Sequence, residues 1–219
     1  WEGYSVSFGE AVRSWVEGKQ TGEEAVAVLD EVQQQKKESG TTYYGEATEL
    51  LDTTQAAQLS GQIFLEATGA DAALISYNIY QPEVLSNLEN GYGANGQILP
   101  GKMSEEDITI FLPTGWYDTL QTATLTGNQI KQMAKDGCDL RDNGYPYPYV
   151  LMTKDGSALE DENEYTVVIC GIPKAMKESG SLNPQDTGIV GLAAAKEYLT
   201  KVGELSSATL DDYLVQIVE

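Results

Sequence analysis

Apolar residues recur at two periods along this chain, and the changes of period mark its elements. In the stretch after Asp52, Leu59, Ile63 and Phe64 share one helical face. Asp52 and Gln55 are spaced to cap that helix reciprocally, and Gly69 is placed to end it, so a helix is predicted from Thr53 to about Thr68. Ala72–Ser76 then reads as a short apolar central strand, followed by the polar-aromatic loop Tyr77, Asn78, Tyr80, Gln81 and Pro82. Residues 86–101 are rich in Gly and Asn and predict a loop or hairpin. Ser104 with Asp107 predicts a capped helical turn before Ile108–Leu112, and Pro113–Tyr117 predicts a turn. Thr119–Leu125 is β-prone. Thr126, Gly127 and Gln129 open a helix bearing Ile130, Met133 and Ala134 that is expected to end at Gly137.

Beyond it, Pro146 and Pro148 call for an extended or edge path, and Lys154-Asp155-Gly156 for a hairpin turn. Tyr165–Ile169 is expected as a buried strand and residues 174–186 as loop. Two helices are expected to close the chain, Ile189–Val202 ended by Gly203, and Leu210–Val218 capped by Thr209 with Asp212. The first 40 residues stand apart. Phe8, Ala11, Val12, Trp15 and Val16 follow helical spacing, and Thr21 with Glu24 can cap a second helix whose face is Ala25, Val28, Leu29 and Val32. A polar QQQKKESG segment ends this part. The division expected is a helical extension and linker over 1–40 and one domain over 41–219.

Charge changes the picture most. Thirteen Lys and Arg stand against 34 Asp and Glu, a net charge of −21, which repels phosphate backbones and anionic lipid. Neither nucleic-acid binding nor membrane insertion is expected, and no apolar run approaches the roughly 20 residues of a spanning helix. The acidity reads as a solubility surface, with a calcium-dependent surface as the alternative, although no D-x-[DN]-x-[DN]-G loop is present. The chain has no histidine, which removes Ser-His-Asp and Cys-His nucleophile systems and the commonest zinc ligand. Carboxylate-only catalysis stays open, with Asp118, Glu160 and Asp161 available. Cys138 and Cys170 are compatible with a disulfide in an oxidising compartment or with two buried thiols. Because the chain begins at Trp1 with no secretory signal in view, a processed protein or a piece of a longer one is expected.

The order of the segments GEATELLDTTQAAQLSGQIFLEATGADAALIS, ILPGKMSEEDITIFLP, TLQTATLTGNQIKQMAKDG, EYTVVI and DTGIVGLAAAKEYL resembles the C-terminal domain of the 5′-nucleotidase family. The resemblance covers the chain from about Tyr43 to its end. It implies an α+β fold, a mixed β-sheet with flanking helices, here preceded by the helical extension. The stretch FGEAVRSWVEGKQTGEEAVAVLDEVQQQ resembles the C-terminal helices of bacterial extracellular solute-binding proteins, which implies a surface protein and an extracellular or cell-surface location.

In the 5′-nucleotidase family the divalent metals sit in a preceding phosphoesterase domain and the C-terminal domain supplies the nucleoside pocket. The resemblance therefore implies no cofactor in this chain, an upstream domain of the same polypeptide as a partner, and a nucleoside, nucleotide or other small molecule as ligand. The substrate-binding candidates it selects are Tyr77, Asn78, Gln81, Trp116, Asp118, Gly144 and Ile172. No residue is selected as catalytic or metal-binding. Several positions depart from the family pattern. Gln81 stands where an Arg is usual, Asn78 and Ile79 where two Gly are usual, Thr114 and Ile172 where stacking aromatics are usual, and Lys177-Glu178-Ser179-Gly180 where Gly-Gly-Asp-Gly is usual. Neither Thr114 nor Ile172 offers the ring face that holds a base by roughly 1–3 kcal/mol. Trp116, Tyr117, Tyr77 and Tyr80 either rebuild an aromatic pocket or serve as core and rim. Two functions follow: the substrate-recognition domain of a secreted nucleotide hydrolase, inactive alone, or a binding or structural module of a bacterial surface protein that has lost the nucleotide.

Overall fold

The computed structural model describes residues 40–76, 96–113, 118–139, 149–170, 182–210 and 214–218, together with Ala27, Asp30, Glu31 and Gln34. These last four are helical and exposed, and the rest of residues 1–39 lies outside the described residues. The elements in chain order are β1 (Gly45–Ala47), α1 (Thr53–Thr68), β2 (Ala72–Ser76), β3 (Gly101–Met103), α2 (Glu105–Phe111), β4 (Thr119–Thr126), α3 (Gly127–Asp139), β5 (Tyr149–Thr153), β6 (Glu164–Cys170), β7 (Gln185–Val190), α4 (Gly191–Val202), β8 (Glu204–Leu205), a 3-10 turn (Ser207–Leu210) and β9 (Leu214–Val218).

Six strands form one mixed sheet in the order β7-β4-β6-β2-β5-β9. Only β2 and β6 run parallel, and every other neighbouring pair is antiparallel. Side chains alternate between the two faces, as the pleat requires. Ala73, Ile75, Val150, Met152 and Val168 join α1 residues Leu59, Ile63 and Phe64 on one face. Ala72, Leu74, Tyr149, Leu151, Val167 and Ile169 join Ile130, Met133 and Ala134 of α3 on the other. Where β2, β5 and β6 are covered on both faces, over Ala72–Ile75, Tyr149–Met152 and Val167–Ile169, the sequence is apolar at every position rather than alternating. The small sheet β3-β1-β8 turns Ala47, Met103 and Leu205 into the α1 side of the core.

Local chemistry accounts for the helix boundaries. The Gln55 N–H donates to Asp52 Oδ1 at 2.8 Å and the Asp52 N–H to Gln55 Oε1 at 2.9 Å, a reciprocal cap for α1. Gly69, in the left-handed region at φ 68°, closes the helix by donating its N–H to the Leu65 carbonyl. Asp107 accepts from the Ser104 N–H at 2.8 Å to open α2. Thr126 and Gln129 exchange the same pair of bonds to open α3.

The structure overturns four local expectations. The helix expected over Leu210–Val218 gives way to a strand: Thr209 spends its hydroxyl on the 3-10 turn, bonding Ser206 on both its N–H and its carbonyl, and Leu214–Val218 pairs with β5. The run LVQIV satisfies either period, and the ladder offered by β5 decides it. Ile189 and Val190 belong to β7, so the helix starts at Gly191, although Gly203 ends it as expected. Lys154–Gly156 is a turn, with Gly156 at φ 72°, but not a hairpin, because β2 lies between β5 and β6. The helix α3 runs past Gly137 to Asp139. The backbones of Cys138 and Cys170 belong to α3 and β6.

Candidate functional site

Sheet register brings the segments singled out by sequence to one end of the sheet. Ser76, the last residue of β2, is opposite Tyr149, the first of β5. Ile75 is level with Cys170, the last residue of β6. At the same end Thr119, the first residue of β4, is opposite Val190, the last of β7. The chain therefore leaves β2 towards residues 77–81, leaves β6 towards residue 172, and enters β4 and β5 from 114–118 and 141–148 at a common edge. In open α/β sheets ligands favour such an edge, where several strand ends present loops together.

Of the seven candidates only Asp118 is among the described residues. Its side chain is exposed, and its carbonyl accepts the Gly191 N–H at 3.1 Å. That bond ties the entry of β4 to the first residue of α4, just where Thr119 pairs with Val190. Tyr77, Asn78, Gln81, Trp116, Gly144 and Ile172 lie outside the described residues, as do Thr114 and Ile79. Sequence reasoning missed the β7–α4 junction as part of this edge. DTGIVG reads as the start of a helix, and only the pairing of Val190 with Thr119 reveals where the strand stops.

The three carboxylates open to hydrolytic chemistry are not together. Asp118 precedes the first residue of the eight-residue β4. Beyond its last residue, Asn128 N–H donates to the Asp161 carbonyl at 3.0 Å, which places Glu160 and Asp161 at the opposite end. The strand alone separates them by about 25 Å, well beyond the roughly 10 Å over which two carboxyls share one reacting bond. Lys131 binds Asp161 at 2.8 Å and also the Leu159 carbonyl at 2.7 Å, so that carboxylate serves the opening of α3.

The chain has no histidine, and among the described residues no group of three or more Cys, Asp and Glu is close enough to hold an ion. No helix among them is long and apolar enough to cross a membrane.

Comparison with solved structures identifies the architecture. The chain superposes on a 5′-nucleotidase precursor from Thermus thermophilus with a TM-score of 0.52, at 17% identity over 83% of this chain and 41% of that one. The chain folds like part of a 5′-nucleotidase. The NAD nucleotidase of Haemophilus influenzae matches at a TM-score of 0.50 and 11% identity, over 84% of this chain and 40% of that one. A putative 5′-nucleotidase from Staphylococcus aureus, in complex with alpha-ketoglutarate, matches at 0.50 and 11%, over 74% and 38%. This 5′-nucleotidase-like chain thus spans about two fifths of the length of the structures it resembles. No protein-family model and no curated protein matches its sequence.

Proposed function

We propose that residues 41–219 are the substrate-recognition domain of a secreted 5′-nucleotidase-like nucleotide hydrolase, with the metal-bearing catalytic domain elsewhere in the same polypeptide. In this reading the chain binds but does not turn over substrate alone. One observation carries it: the fold shared with about two fifths of each nucleotidase ends its strands β2, β4, β5 and β6 at a single edge, next to every segment that holds a candidate residue.

The residue types suggest how such an edge recognises a nucleoside. Tyr77 and Trp116 offer ring faces for a base. The amides of Asn78 and Gln81 donate to and accept from a base edge, and the Asp118 carboxylate accepts from hydroxyls. Gly144 leaves room for close approach, and Ile172 adds apolar surface. None of them neutralises a phosphate, so a nucleoside is expected to bind at least as tightly as its monophosphate. Phosphate recognition falls to the metals of the absent domain.

The departures at Gln81, Thr114 and Ile172 favour a second reading, a binding or structural module of a bacterial surface protein that has kept the fold and lost the nucleotide. Calorimetric titration with adenosine, AMP and a panel of small metabolites separates the two. Micromolar adenosine or AMP binding supports the first reading. Absence of any nucleoside binding up to millimolar concentration overturns it. Turnover of a chromogenic phosphoester by the isolated chain would refute the expectation that it is inactive alone.

A further inference from the structure

We infer that the bulge of β7, Asp186-Thr187-Gly188, positions Asp118: it brings the first residue of α4 level with the entry of β4 and so fixes the backbone that presents the Asp118 carboxylate at the candidate ligand edge. The ligand role of Asp118 rests on the function proposed above, whereas its placement follows from bonds among the described residues. Gln121 is opposite Asp186 and Thr119 is opposite Val190, so β7 takes four steps where β4 takes two. In an unbroken register Gly188 would face Thr119, and α4 would begin two residues, about 7 Å, beyond the start of β4. The Gly191 N–H could not then meet the Asp118 carbonyl, which it reaches at 3.1 Å.

Side chains of the bulge hold it against the entry of β4. The Thr187 hydroxyl donates to the Leu120 carbonyl at 2.8 Å and accepts the Ile189 N–H at 3.1 Å. Asp186 accepts the Gly188 N–H at 2.8 Å. That N–H, and after it the Thr119 hydroxyl, hold the Asp186 carboxyl below the ordinary carboxylate range. Gly188 takes φ 69° with nothing within 4 Å of where a Cβ would lie, so backbone conformation rather than space calls for glycine there. Asp118, Thr119 and Leu120 are thus each bonded by a different part of the segment 186–191, while the Asp118 side chain stays exposed. Irregularity alone is enough to blunt a sheet edge. Bonds to three successive residues beside a candidate ligand position point instead to the other use of a bulge, which is to aim a side chain.

The test uses the full 219-residue chain. Thr187→Val deletes the hydroxyl and keeps the branched shape, and Thr187→Ser keeps the hydroxyl. Adenosine affinity by calorimetry is expected to fall roughly three- to tenfold in Thr187→Val and to return in Thr187→Ser. In an Asp118→Ala background Thr187→Val should cost no further affinity, because a residue that acts through Asp118 has nothing left to position. A general structural lesion would lower affinity in both backgrounds. Hydrogen exchange at the Gly191 amide reads the placement without ligand, and should quicken in Thr187→Val but not in Thr187→Ser. Circular dichroism checks folding, and Asp186→Ala, which removes the acceptor for the Gly188 N–H, takes the place of Thr187→Val with the same expectations if that variant does not fold. If the unsubstituted chain binds no adenosine, the function proposed above fails, while quickened exchange at Gly191 still upholds the placement of Asp118 by the bulge. Binding that ignores Thr187→Val, a loss that persists in the Asp118→Ala background, no recovery in Thr187→Ser, or unchanged exchange at Gly191 would each overturn the positioning role.

Discussion

The two ends of the six-stranded sheet carry different segments of the chain. At the end where β2 and β6 begin, connections are short and bonded to themselves. Asp71 pairs with Lys154 at 2.8 Å and accepts the Thr166 N–H at 2.9 Å. Its backbone N–H reaches the Thr166 carbonyl, and its carbonyl accepts from Lys154 N–H. One residue thus joins the start of β2 to β6 and to the exit of β5. Next to it β4 passes into α3 with no connecting residue, because Gly127 lies so close to the Glu160 carbonyl that a Cβ there would stand 2.2 Å away. At the other end the chain leaves in segments covering residues 77–100, 112–118, 140–148 and 171–184, and the candidate ligand residues fall on these. Among the described residues, then, one end is held by the contacts of Asp71 and Gly127, while the candidate ligand positions fall on segments that leave the other. The departures from the family pattern at Asn78, Ile79, Gln81, Thr114 and Ile172 all fall on those segments, while the LTG and TGAD segments fall at the end held by Asp71 and Gly127.

Substitutions at the two ends should separate stability from binding. Gly127→Ala has the largest expected effect, since backbone rather than a flexible side chain opposes the new methyl. A loss of about 1–3 kcal/mol is expected by denaturant unfolding, with adenosine affinity unchanged in the folded fraction. Gly69→Ala forces a side chain onto φ 68° at the C-cap of α1 and should lower the unfolding free energy by about 1 kcal/mol. Equal stability in the Ala variant would remove the role given to that turn.

Asp71 gives a smaller, pH-dependent effect. The Lys154 ammonium, then the Thr166 N–H, hold its carboxyl below the ordinary carboxylate range. A lowered folded value means that its stabilisation is present above the unfolded value of about 3.9 and is lost as pH falls through the folded value. The pair is half exposed, so solvent screening keeps the expected loss in Asp71→Asn under about 1 kcal/mol at pH 7. The sign is firmer than the size: the gap between wild type and Asp71→Asn should close on acidification below pH about 4, and a gap that widens there would contradict the assignment. Asp118→Ala has the smallest expected effect on stability, within about 0.5 kcal/mol for an exposed side chain away from any cap, because only its carbonyl binds Gly191. Its effect should appear instead as weaker nucleoside binding by calorimetry. A large fall in melting temperature would place Asp118 with the structural end.

Much of this was legible from residues alone where the deciding contacts are local. The reciprocal caps Asp52–Gln55, Ser104–Asp107 and Thr126–Gln129 each act over three residues, and Gly69, Gly156 and Gly203 mark turns at which the chain reaches positive φ. The unbroken apolar run Ala72–Ile75 announced a strand covered on both faces. Absence of histidine removed the His-dependent nucleophile systems before any fold was known. Tertiary structure decided what depends on distant partners. LVQIV became a strand because β5 offered it an edge, and Ile189 and Val190 became one because β4 did. Lys154–Gly156 looked like a hairpin until β2 came between its strands. Asp118 was parted from Glu160 and Asp161 by the length of β4. Caps and turns are settled within a few residues of chain, whereas the choice between helix and strand for a short apolar run, and the grouping of carboxylates, belong to hydrogen bonds and packing between segments that sequence order does not bring together.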